Sequence, residues 1–398
     1  MADGEKPYRR YRGGRVRGGV PTLERARPGV EPDGRTARPG RAGKAGPEGP
    51  KRRRRLRLTR GRLILSVVLL LILLLVVWAV ASWLAFSRGV DEANQRLSPR
   101  ARAALVPHEG LLMSRPTTTL LMGTDHADRR DRADANRSDS IMLVRTDPER
   151  HRLTYLSIPR DLRVDIPGHG TGKINAAFAL GGPALAMRTI TGVTGIEINH
   201  VALVDFNSFR ELIDELGGVT VNVPAPIVSN RFDCPFPTDS QCQRWQGWRF
   251  AKGKQTMDGR RALIYSRIRE NRLNPAENDL TRGERQQVVV QAIADKLTSP
   301  GTLFKLPFIG DDLLKPLATD LSSGQFLQLA WRKFRSPEDR TLHCRLGGSA
   351  SFVGGESFII GTEENRNVIA MFSGRSAPQP PLPGSGPFGP GCIIGNRG

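Results

Sequence analysis

The sequence predicts an α/β fold, a single domain with a mixed central β-sheet flanked by helices, preceded by one transmembrane helix that holds it outside the cytoplasm. Three observations carry that expectation. Between residues 116 and 336, short apolar runs bounded by turn or charged residues interleave with segments of helical period. Residues 63–86 contain no charged side chain. Positive charge is concentrated on the N-terminal side of that run.

Residues 1–62 form a basic arm. They hold 20 Lys/Arg against 6 Asp/Glu, and so carry +14 of the chain's formal +21. Gly and Pro are frequent there and hydrophobic residues scarce, so the arm is expected to be disordered. No nucleic-acid partner is expected, because neither a helix-turn-helix nor a zinc pattern accompanies the charge. Topology determination and contact with anionic lipid account for it instead.

The uncharged run 63–86 is 24 residues long. At about 1.5 Å per residue it reaches roughly 36 Å, enough to cross a hydrocarbon core of about 30 Å. No amphipathic stripe interrupts it, which argues against a buried core helix. It begins far into the chain and ends without a small-residue cleavage site, which argues against a signal peptide. The basic run from Lys51 to Arg62 abuts it, so the N-terminus is expected in the cytoplasm and the rest outside, in a single-pass cell-membrane protein. Residues 87–115 read as an extracytoplasmic linker.

Strands are expected at 118–122, 140–144, 153–158, 201–204 and 219–223. Helices are expected within 173–191, at 207–216, at 258–268 and at 282–297. Gly217 and Gly218 terminate the second, while Asp258 and Thr281 are candidate N-caps of the last two. Residues 337–398 read as a C-terminal extension ending in a Pro/Gly-rich tail. All four cysteines lie beyond the apolar run, in the compartment that permits disulfides. Cys234 and Cys242 flank a short Pro-rich loop and are expected to pair. Cys344 with Cys392 would tie the tail to the body. Zinc is the alternative, but no Cys-x-x-Cys pair supports it.

The chemistry is concentrated in two motifs, Arg137-Ser138-Asp139 and Pro159-Arg160-Asp161. Arginine grips phosphate oxygens in a bidentate fork, and aspartate holds the divalent cation that bridges them. Asp125 follows the first expected strand, Asp139 precedes the second, and Arg160 and Asp161 follow the third. Antiparallel pairing of the first two strands would gather these at one sheet edge, where ligands of α/β sheets bind. Other catalytic patterns fail. Residues 168–173 lack the first glycine of a phosphate loop, and Ile174 stands where its Ser/Thr belongs. No nucleophile elbow or His-Glu-x-x-His is present. The glycine-rich segment reads as a flexible loop near the site.

The chain resembles the LytR-CpsA-Psr family of cell-wall glycopolymer ligases. The resemblance rests on stretches in family order: 120–125 (LLMGTD), 137–144 (RSDSIMLV), 156–161 (LSIPRD), 173–178 (KINAAF), 204–206 (VDF), 217–219 (GGV), 262–269 (ALIYSRIR) and 279–287 (DLTRGERQQ). It implies a membrane-anchored phosphotransferase with an extracytoplasmic catalytic domain at 116–336. Such an enzyme moves a glycopolymer from an undecaprenyl diphosphate carrier to peptidoglycan, at the muramic acid 6-hydroxyl, and forms a phosphodiester.

By that resemblance Asp125 and Asp139 would hold Mg²⁺, and either could take the acceptor's proton. Arg137, Arg160, Arg267, Arg269, Arg282 and Arg285 would surround the diphosphate, with Gln286 adding a hydrogen bond and Lys173 and Asn175 shaping the site. Each charge-assisted contact is worth about 1.5–3 kcal/mol. Leu162-Arg163 departs from the small hydroxyl residue common after the family's Pro-Arg-Asp. Two other classes compete. A lipid-diphosphate hydrolase would need only water, and a membrane-bound transcriptional attenuator would need the basic arm.

Overall fold

The computed structural model describes residues 60–108, 110–124, 138–230, 234–236, 238–275, 277, 279–382 and 389–395. Residues 1–59 of the basic arm and the candidate site residues Asp125 and Arg137 lie outside the described residues, and the last three residues of the arm open α1.

Helix α1 (Arg60–Gln95) leads through a short α2 (Pro99–Arg102) to three strands, β1 (Thr117–Thr124), β2 (Ser138–Asp147) and β3 (Arg152–Ile158). A hairpin of β4 (Arg163–Ile166) and β5 (Gly170–Lys173) precedes α3 (Ala176–Thr194), β6 (His200–Asp205) and α4 (Phe206–Glu215). Next come β7 (Val219–Val223), β8 (Ile227–Val228), α5 (Asp239–Arg244), β9 (Arg249–Phe250) and β10 (Gly253–Met257). Helices α6 (Gly259–Arg267), α7 (Asp279–Leu297) and α8 (Pro300–Leu314) follow, then β11 (Ala318–Thr319) and α9 (Ser323–Arg335). Beyond them are β12 (Leu342–Arg345), the hairpin β13 (Gly348–Val353) and β14 (Glu356–Gly361), α10 (Glu364–Phe372) and β15 (Gly391–Ile394).

Among the described residues the central sheet has seven strands in the order β11-β6-β1-β2-β3-β12-β15. It is mixed. β1 pairs antiparallel with β2 and parallel with β6, and β3 pairs antiparallel with β2 and parallel with β12. The period of two along β2 distributes its side chains between layers. Ile141 and Leu143 join a core with α3 and α10, whereas Met142 packs with Tyr155 on the opposite face, beside Val290 of α7. A further core lies among α4, α6, α7 and the β7–β10 pair, where Val219, Val221 and Val223 are buried by strand alternation.

Local signals read in the sequence act as expected at several points. Asp258 caps α6 by accepting the Arg261 N–H at 2.7 Å. Gly217 and Gly218, both at positive φ, end α4, and a Cβ on Gly218 would stand 3.0 Å from the Met257 carbonyl. Three expectations need correction. α7 begins at Asp279, so Thr281 is inside the helix rather than its cap. Residues 87–95 continue α1, so part of the expected linker is helix; the face carrying Ala85, Phe86, Gly89, Val90 and Ala93 is buried, which extends the helix beyond the apolar run. The domain does not end at 336, because β12 and β15 complete the sheet.

Both expected disulfides form, Cys234–Cys242 and Cys344–Cys392. The second joins directly opposed residues of β12 and β15 and closes a separation of 48 residues. Replacing Cys344 and Cys392 together by serine is expected to cost about 2–4 kcal/mol, read as a lowered thermal midpoint. The Cys234–Cys242 pair closes a separation of only 8 residues, so its loss should cost less.

Candidate functional site

Strand register builds the centre of the site. Ile141 of β2 pairs with Ile158 of β3, so two residues further out Asp139 stands opposite Arg160. Their side chains meet, with Arg160 Nη1 donating to Asp139 Oδ1 at 2.6 Å. The two motifs, twenty residues apart in sequence, thus form one half-buried ion pair at the sheet edge. The edge is the carboxyl end of the parallel strands β3 and β12, the position where α/β sheets receive ligands.

The turn after β3 adds a second carboxylate. Asp161 lies 3.4 Å from Arg160 Nε and accepts from Lys173 Nζ at 3.3 Å. Lys173 is carried there by β5. The glycine-rich segment expected as a flexible loop is therefore an ordered β4–β5 hairpin, with Gly168 and Gly170 at positive φ in its turn. Asn175, fully buried, donates its backbone N–H to the Arg160 carbonyl at 3.2 Å. Its Oδ1 has no hydrogen-bond partner among the described residues.

α7 covers the pair from the other side. Its second turn brings Arg282, Gly283 and Gln286 to line a cleft with Asp139, Arg160 and Arg345. A Cβ on Gly283 would stand 3.2 Å from the Ser157 Cβ, so glycine lets the helix lie against β3. Gln286 accepts from the Ser140 hydroxyl at 2.9 Å. Gln287 donates to Ser157 Oγ at 2.7 Å and to the Cys344 carbonyl at 3.0 Å, bolting α7 to β3 and β12. The N-terminal turns of α7 also bring the positive end of its dipole to the cleft.

Arg285 departs from the expectation. It sits about 100° around the helix from Gln286, and its buried guanidinium faces the segment joining α6 to α7. There Nη1 bonds Glu277 at 2.7 Å and Nη2 bonds the Ile268 carbonyl. It is committed to positioning that segment rather than to the cleft. Arg267 is exposed, its guanidinium 4.3 Å from the Phe206 ring centroid, and Arg269 is exposed beyond it. Neither is among the residues lining the cleft.

Sequence reasoning missed Arg345. It follows Cys344 on β12, lies beside Ser157 in register, and is held by Glu284 at 2.5 Å and by the Gly389 carbonyl. The β13–β14 hairpin was missed as well: Ile359 N–H bonds the Asp161 carbonyl at 2.9 Å, and Glu356 stands 3.8 Å from Lys173 Nζ.

Tyr265 lies in one of the resembling stretches but is no candidate base. Burial, with Glu277 adding to it against Arg285, pushes its hydroxyl up to about 12, and the ring packs on Phe250. That hydroxyl has no hydrogen-bond partner among the described residues. Tyr265→Phe is therefore expected to keep full activity and to raise stability by about 1 kcal/mol, measured by thermal unfolding.

Asp139 offers one oxygen of the kind a hard divalent cation takes. Asp139 uses Oδ1 for Arg160, and its Oδ2 has no protein partner among the described residues. Those residues contain no group of three or more metal-ligating side chains. Magnesium, however, typically takes one or two carboxylates and completes its shell with water and substrate phosphate.

A half-buried arginine–carboxylate cleft at a mixed sheet edge, roofed by a helix N-terminus, gives this α/β protein the makeup of an anion-binding site. The chain belongs to the LytR_cpsA_psr family, whose match covers residues 84–370. It is 30% identical over 269 residues to the polyisoprenyl-teichoic acid–peptidoglycan teichoic acid transferase TagV of Bacillus subtilis, covering 66% of this chain and 65% of that protein, just under two thirds of its length. It is 29% identical over 297 residues to the transferase TagU of Enterococcus faecalis, covering 74% of this chain and 90% of that one. Among solved structures, TagT bound to LIIa-WTA superposes with a TM-score of 0.53 at 28% identity, over 67% of this chain and 93% of that one. The regulatory protein MsrR of Staphylococcus aureus is 33% identical over 211 residues, 52% of this chain and 58% of its own.

Proposed function

We propose that the protein is a membrane-anchored glycopolymer–peptidoglycan transferase, with α1 as its single span and the sheet domain on the outer side. The observation that carries this reading is the Asp139–Arg160 pair facing Arg282 and Arg345 across one cleft. A fixed array of this kind suits a diphosphate whose negative charge grows as the bond to the leaving group breaks, because the donors are oriented before reaction. Its membership in a family whose relatives include teichoic acid transferases supports the same chemistry. α1, with a mean hydropathy of 3.4 over its most apolar window, is long and apolar enough to cross a membrane.

In the reaction, an acceptor hydroxyl oxygen on peptidoglycan, the muramic acid O6, attacks the phosphorus that carries the glycan. The bond from that phosphorus to the bridging oxygen breaks. Polyprenyl monophosphate departs, with undecaprenyl as the carrier, and a phosphodiester remains between glycan and peptidoglycan. Arg160, Arg282 and Arg345 hold phosphate oxygens, Lys173 orients Asp161 and so Arg160, and one of the two carboxylates, Asp125 or Asp139, takes the hydroxyl proton. Mg²⁺ held by Asp125 and Asp139 would supply further charge neutralisation at the diphosphate.

Full-length protein in proteoliposomes, given a polyprenyl-diphosphate glycan and peptidoglycan oligomers, should form a covalent conjugate only when the acceptor is present. Consumption of donor at the same rate without acceptor would assign the protein as a hydrolase instead.

A further inference from the structure

Helix α8 lies against α1 along the outer part of the apolar run. A Cβ on Gly89 would stand 2.6 Å from the Asp311 carbonyl oxygen, and one on Gly310 would stand 2.8 Å from the Phe86 nitrogen. These two glycines let the helix backbones touch. Towards its beginning, α8 meets α1 again. Trp78 Nε1 donates to the Phe304 carbonyl at 3.3 Å, and the two rings lie 6.0 Å apart. Trp78 is eight residues inside the end of the apolar run at Phe86, roughly 12 Å along the helix axis. The first turns of α8 therefore run beside residues that the proposed function places in lipid.

The side chains α8 presents away from its neighbours match that surrounding. Phe304 is 74% and Phe308 81% exposed, and Leu303 beside them is exposed too. α9 repeats the pattern. Its Phe326 packs edge-on to Phe86 at 6.1 Å, at the end of the apolar run. Leu327, Trp331 and Phe334, spaced i, i+4 and i+7, form an exposed stripe, with the Trp331 and Phe334 rings 5.7 Å apart. Exposed Lys305 and Arg335 stand next to these stripes in sequence. Aromatic and aliphatic side chains with adjoining lysine and arginine are the composition of helices that lie in a bilayer interface. Large apolar side chains left in water in this number are costly.

We propose that α8 and α9 form a membrane seat: their exposed faces insert into the outer leaflet next to α1, with Phe304, Phe308, Trp331 and Phe334 among the acyl chains and Arg335 at the headgroups. The occupant is lipid because both helices are seated on the span itself, α8 through Phe304 on Trp78 and α9 through Phe326 on Phe86. The proposal rests on the reading of α1 as a transmembrane helix. The seat fixes the orientation of the sheet domain relative to the bilayer that carries its donor.

The test uses the full chain in nanodiscs, with a fluorophore attached at Phe308→Cys, Phe334→Cys or Leu70→Cys, the native cysteines being paired. Lipids bearing a nitroxide on the acyl chain should quench all three labels several-fold, and aqueous iodide should leave them bright. If Leu70→Cys is quenched by lipid while the other two are quenched by iodide, the span stands and the seat is overturned. Labels at 308 and 334 shielded from both quenchers would mean that protein, such as a second copy, covers the face, and would also overturn it. A Leu70→Cys label open to iodide would remove the span and the seat together.

Discussion

Arg160→Ala is expected to lower the rate of glycopolymer transfer by about 10²–10³-fold, comparable to loss of a preorganised donor at a developing oxyanion. Arg160 binds Asp139 at 2.6 Å, stands 3.4 Å from Asp161, and lines the cleft itself. Its removal deletes a phosphate donor and also frees Asp139 to repel the diphosphate, while Asp161 keeps Lys173. Arg160→Lys should recover only part of the loss, because an ammonium cannot span Asp139 and phosphate with one planar fork. The measurement is single-turnover transfer in proteoliposomes, with circular dichroism to show that the variant is folded. Activity within about threefold of wild type, well under the loss expected for such a donor, would remove Arg160 from the site.

Arg285→Ala is expected to act on stability instead. The side chain and its partner Glu277 are both about nine-tenths buried, and Arg285 also donates to the Ile268 carbonyl. Deleting one member of a buried pair leaves the other charge without compensation and costs about 3–5 kcal/mol. The thermal midpoint should fall markedly. At temperatures where the variant remains folded, the KM for donor should change little, because the guanidinium faces away from the cleft. A large rise in KM with an unchanged midpoint would restore Arg285 to the diphosphate.

Much of the site was legible because it is local. The strands at 118–122, 140–144 and 153–158 announce themselves by apolar runs and turn residues. Once β2 and β3 pair antiparallel, the register places Asp139 opposite Arg160. What the sequence hid is long-range. Nothing in the pattern around 342–345 says that this strand pairs parallel with 154–157, so Arg345 could not be placed in the cleft. The spacing of Arg282, Arg285 and Gln286 puts all three on one broad helical face. Which edge of it meets β3 depends on Gly283 touching Ser157 and Gln287 bonding β12, contacts made across more than fifty residues of sequence. The helices at 300–314 and 323–335 went unread, the first because Pro300, Gly301 and Pro307 mask its period.

The most direct measurement of the central claim follows one atom. A polyprenyl-diphosphate glycan radiolabelled at the glycan-proximal phosphorus is incubated with peptidoglycan and either wild-type protein or Arg160→Ala. The expected result is wild-type-dependent label in peptidoglycan, resistant to phosphatase as a phosphodiester is, with stoichiometric release of unlabelled polyprenyl monophosphate and almost none for the variant. Label appearing only as soluble glycan phosphate, at equal rates with and without peptidoglycan, would contradict it.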